Sequence, residues 1–178
     1  MKEKIYTSLS EFVDGYISEV HNFFGLQSAI LRTQSLEITS RCYYSGREIL
    51  DLVANFNQRT NQQCDELLDK VKNLCAESGR SLSDKQYNDL KSKCTKPFIC
   101  GIDDFQKALQ EEFEWTSTME TSLFALRQKV TSSINRRIDT FKTISSVRLD
   151  KTLRWTILGT VISTLLSVLT IIISIVKS

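Results

Sequence analysis

Histidine and proline each occur once in the 178 residues, and glycine six times. With His21 alone, His-His metal pairs, two-His-one-carboxylate centres and the HExxH motif are excluded. The glycines are too far apart for a GxxxxGK[ST] or GxGxxG phosphate cradle. Cys42, Cys64, Cys75, Cys94 and Cys100 are odd in number and contain no Cys-x-x-Cys pair, which argues against a zinc ribbon or a closed disulfide framework. They read as small hydrophobes in a reducing compartment. Cys94 and Cys100, on either side of Pro97, are the one pair near enough in sequence to suggest a bridge or redox switch. Adjacent carboxylates such as Asp103 and Asp104, or Glu111 and Glu112, point in different directions on a helix and read as solvated surface. A net charge of +2, from 23 basic and 21 acidic residues, has no basic concentration suited to nucleic acid. The reading is non-enzymatic, with no catalytic, cofactor-binding or metal residue and no cofactor.

So few breakers imply long helices, and no strand pattern competes. Leu9, Phe12, Val13, Tyr16, Ile17, Val20, Phe23 and Phe24 recur at helical spacing behind a Ser8–Glu11 capping box. Gly25 is a candidate end or kink, after which Leu26, Ala29, Ile30, Thr33 and Leu36 extend a similar face. A second helix is expected from Arg47 to about Ala76, with Ile49, Val53, Phe56, Leu67, Val71 and Leu74 on its core side. Its polar middle, Asn57 to Gln63, is expected to face water or another subunit. Gly79 reads as a C-cap, Ser81 or Ser83 as the cap of a short helix over Leu82 to Leu90, and Ser92 to Gly101 as a loop around Pro97. No glycine or proline falls between Ile102 and Leu158, and Ile102, Phe105, Leu109, Phe113, Thr116, Met119, Leu123, Leu126, Val130, Ile134, Ile138, Phe141 and Ile144 keep one stripe. One helix of about 110 Å from Asp103 to Val176 follows.

The last part of that helix is expected to be a transmembrane span. Trp155 to Val176 has no charged residue over 22 positions, thirteen of them Ile, Leu or Val, and is about 33 Å long against a hydrocarbon core of about 30 Å. Met1 to Gly25 mixes acids into its apolar positions and has no secretory h-region, so the chain reads as anchored by its tail. Arg136, Arg137, Lys142, Arg148, Lys151 and Arg154 precede the span and only Lys177 follows it, which places the N-terminal domain in the cytoplasm. The expected organisation is a cytoplasmic antiparallel helical bundle over 1–101, a long amphipathic helix over 102–154 and a span over 155–176, an all-α protein in a bacterial inner membrane, with an organelle outer membrane as the alternative.

Within the span, Thr156, Thr160, Ser163, Ser167, Thr170 and Ser174 follow intervals of four, three, four, three and four, and Thr152 extends them. They form one hydroxyl seam, suited either to packing against sister helices or to lining a wet pore. In plan the chain resembles the single-span CRISPR-associated accessory membrane proteins and other bacterial antiviral pore-type effectors. That resemblance implies a homo-oligomer in the lipid bilayer, forming or gating a pore and responding to a cytoplasmic protein or signal. The Arg–His pair of HEPN ribonucleases is absent, since no arginine precedes His21. The alternative reading is a tail-anchored coiled-coil tether or scaffold, similar in plan to SNARE proteins, with residues 102 to 154 zipping to partner helices and no conduction.

Overall fold

A computed structural model describes residues 2–41, 45–78 and 82–177, with side chains described for 7, 9–41, 45–76, 82–141 and 155–163. Four helices account for nearly all of it: α1 (Lys2–Thr39), α2 (Gly46–Ser78), α3 (Asp84–Glu112) and α4 (Ser117–Lys177), with no strand among the described residues. The all-α expectation holds.

Cross-helix bonds set the directions. Tyr16 meets Gln63 while Gln27 meets Arg59, so α1 and α2 run antiparallel. Asp103 pairs with Arg127 and Lys91 with Asp139, so α3 and α4 do too. Lys93 binds Asp14 while Ser35 binds Glu112, which makes α1 and α3 parallel. Asn57 binds Ser122 while Asp65 and Asp69 bind Arg137, so α2 and α4 are parallel as well. Two antiparallel hairpins therefore lie side by side. Each of α1 and α4 packs on both α2 and α3, and the two occupy opposite edges of the bundle. The expectation of an antiparallel bundle holds within the hairpins and fails between them.

The centre is aromatic. Phe24 lies against Phe56 and Phe98, and Phe56 stacks face to face on Phe105 at a centroid separation of 3.6 Å, joining α2 to α3 across the core. The α4 stripe from Met119 to Phe141 is buried as its spacing predicts, apart from exposed Thr116 before it; Ile144 lies outside the described side chains.

Several boundaries differ from expectation. Helix α1 starts before Ser8 and passes through Gly25 unbroken. Past Gly25 its buried face is Gln27, Leu31, Ser35 and Ile38; Leu26, Ala29, Thr33 and Leu36 face outward instead. The expected loop from Ser92 to Gly101 is helix, because Pro97 and Gly101 both lie on the core face of α3 and serve packing. Ser83 caps α3 in a full capping box with Gln86. The expected continuous helix from Ile102 is broken at Phe113 to Thr116. Phe113 turns to an extended backbone (φ −137°, ψ 156°), its N–H donates to the Leu109 carbonyl, and its ring is buried. Thr116 then accepts from the Met119 N–H. Threonine at Thr116 with Glu120 in the next turn was the signal for this break, without any glycine or proline.

The membrane span is the principal correction. Among the described residues no helix is long and apolar enough to cross a membrane. Side chains of the apolar stretch are described from Trp155 to Ser163. Three of those nine positions carry hydroxyls and one is glycine. The single-pass, tail-anchored placement in a membrane, with a cytoplasmic N-terminal domain, is not supported.

Candidate functional site

The groups that carry solution chemistry are either exposed or withdrawn. His21 is exposed on α1. Cys64 and Cys94 are buried and Cys75 half-buried. Burial pushes the Cys64 thiol up to about 12, the Asp65 carboxylate adding to the rise. Burial likewise holds Cys94 at about 12 and Cys75 at about 11. Neutral thiols of this kind are poor nucleophiles and poor metal ligands, and the described residues contain no cluster of His, Cys, Asp and Glu able to hold a metal ion. Cys94 and Cys100 are free thiols and do not form the alternative bridge. Both sit in unbroken helix six residues apart, Cys94 buried and Cys100 exposed; that spacing separates them by about 9 Å along the axis and about 120° around it, beyond disulfide geometry. Cys42 lies outside the described residues.

A small pocket opens between α1, α2 and α3, lined by Gln27, Leu31, Asn55, Phe56, Arg59 and Phe105. Its volume of about 50 Å³ is far below the roughly 300 to 1,000 Å³ of small-molecule sites. Gln27 accepts from Arg59 at its rim. Thr60, at the middle of the polar run on α2, is fully buried, and its hydroxyl has no partner among the described residues. Asn57, Asn61 and Gln63 of the same run are half-buried and tie inward, Asn57 to Ser122 and Gln63 to the Tyr16 hydroxyl. The run is thus divided: Gln58, Arg59 and Gln62 are exposed as expected, and Thr60 alone is buried. Arg127 of α4 is bonded to Asp103 and Gln106 of α3.

The basic cluster expected to act as a unit is divided. Arg137 bridges Asp65 and Asp69 of α2 and holds the bundle together. Arg136 is exposed beside Asp139 and Thr140 in an open surface groove. Lys142, Arg148, Lys151 and Arg154 lie outside the described side chains. Of the hydroxyl seam, Thr156, Thr160 and Ser163 are described and exposed, and Thr160 donates to the Thr156 carbonyl at 2.6 Å, satisfying itself within its own helix. Thr152, Ser167, Thr170 and Ser174 lie outside the described side chains.

What remains is a surface. Among the described side chains Phe141 is the last buried one of α4, and farther along the helix Trp155 is 74% exposed, Ile157 55%, Leu158 52%, Val161 52% and Ile162 50%. These five side chains fall within about 160° of the helix circumference, opposite Thr156, Gly159, Thr160 and Ser163, and form one exposed apolar face. The chain matches no family model, no curated protein and no solved structure.

Proposed function

We propose that the protein is a non-enzymatic assembly module, a helical scaffold or tether whose copies associate through the exposed part of α4. The observation that carries this reading is the apolar flank from Trp155 to Ile162 standing clear of the bundle. A helical face this apolar is ordinarily turned to a partner, and exposed apolar patches mark interaction sites. Copies of the same helix supply the needed surface at matched concentration. A conducting role depended on a membrane span and is set aside with it.

The test is the mass of the full chain in solution. Sedimentation equilibrium should give a multiple of 20.4 kDa, and Ile157→Asp combined with Val161→Asp should reduce it while the circular dichroism stays helical, because neither residue touches the core. A wild-type chain that remains a single copy up to about 100 µM, an affinity no assembly function would use, overturns the proposal.

A further inference from the structure

We propose that the outer face of α1 is a second, independent self-docking surface, on which another copy of this chain pairs in parallel. Leu36 at 69% exposure and Leu26 at 57% are the most exposed large hydrophobics of the four-helix bundle. Ala29 and Thr33 lie exposed between them. Spaced three, four and three apart, the four occupy an arc of about 80° directly opposite the buried seam of Phe24, Leu31 and Ile38. The Thr33 hydroxyl donates to the Ala29 carbonyl at 3.0 Å, so this residue offers its methyl group outward with its polar group already satisfied. The face is apolar throughout, with small residues at its centre that admit close approach of a second helix.

Charge selects the occupant and its direction. Arg32 and Glu37 flank the stripe on opposite sides, five residues apart, and both are exposed. In heptad terms Leu26 and Thr33 take the a positions, Ala29 and Leu36 the d positions, Arg32 a g position and Glu37 the following e position. A parallel two-fold pair sets Arg32 of each copy against Glu37 of the other, two opposite-sign contacts at once. An antiparallel pair centred on the stripe sets Arg32 against Arg32 near the axis, which is repulsive. The stripe is short beside the 1,200 to 2,000 Å² that stable complexes typically bury, so the pair forms at high protein concentration. Since α1 packs on α2 and α3 and lies at the edge opposite α4, this pairing leaves the α4 flank of both copies open.

The experiment is disulfide cross-linking of the full chain at high concentration. Leu36→Cys should cross-link to itself under mild oxidation well above the unsubstituted chain and above Gln58→Cys, an exposed position on α2. Adding Glu37→Arg should cut that yield about tenfold, and restoring opposite signs with Arg32→Glu should recover it. The same cross-link should persist when Ile157→Asp and Val161→Asp remove the α4 surface; its loss there would assign the contact to α4 and overturn this proposal alone. It is overturned equally if Leu36→Cys stays at the Gln58→Cys level, if the charge reversal has no effect, or if cross-links form only in mixtures of tagged Leu26→Cys and Leu36→Cys chains, the antiparallel signature.

Discussion

At Gly101 the ring of Phe24 crosses α3 in the space a side chain would fill, and a Cβ built there falls inside the ring. The absent side chain lets α1 and α3 close around the aromatic centre, where Phe24 also meets Phe56 and Phe98. Gly101→Ala should therefore destabilise the fold by about 1–3 kcal/mol, the usual range for overpacking a core. Urea unfolding measures it, and pairing the change with Phe24→Leu should give a loss smaller than the two single losses added together. Of the other glycines, Gly15, Gly25, Gly46 and Gly159 have open space where a side chain would stand, and Gly79 lies outside the described residues. From sequence Gly101 and Gly25 look alike, both candidate breakers, because a glycine's role depends on what lies across from it. Thr60 teaches the same lesson with a polar residue: its place in the core is set by its position between Phe56 and Cys64 on one helical face, against the polarity of its neighbours.

Among the elements, α3 is the one whose length the tertiary structure had to decide. Its interior proline removes one helical donor and disfavours helix, yet Pro97 is buried between Cys94 and Phe98 and the helix continues through it. Its start is held locally by Ser83 and Gln86, each side chain bonded to the other residue's backbone N–H. Ser83→Ala should lower stability by about 1 kcal/mol, read as a shift in the urea midpoint at unchanged slope. That cap was legible from sequence. So was the α4 stripe from Met119 to Phe141, because seven residues at spacings of three and four leave one way to bury them. The α1 stripe beyond Gly25 was misleading for a physical reason: Leu26, Ala29, Thr33 and Leu36 form one helical face and Gln27, Leu31, Ser35 and Ile38 another, and periodicity alone ranks the first as more apolar. The bundle buries the second, where Ser35 donates to Glu112 of α3.

For the whole molecule, the buried thiols link stability to alkaline pH. The ionised forms of Cys64 and Cys94 are available to the unfolded chain from about pH 9, the ordinary thiol value, and to the folded chain only from about 12. Between those values the unfolded state binds fewer protons, so stability is unaffected below about pH 9 and falls as pH rises toward 12. Urea midpoints measured across that window should decline, and Cys94→Ala should make the decline shallower while costing some stability at neutral pH. At the scale of assembly, the exposed α4 flank and the outer face of α1 lie at opposite edges of the bundle, so blocking one should leave association through the other.

The sequence by itself determined that the chain is helical, where α2 and the buried part of α4 run, and that catalytic motifs built on histidine or glycine clusters are missing; these follow from local spacing and residue counts, which need no partner. Only the tertiary structure decided which face of α1 is inside, that Pro97 and Gly101 lie within a helix, that the chain turns at Phe113, and that Arg137 ties two helices instead of joining a basic cluster. Each of those depends on a ring, carboxylate or helix brought near from tens of residues away, and spacing along one helix carries no record of what will face it.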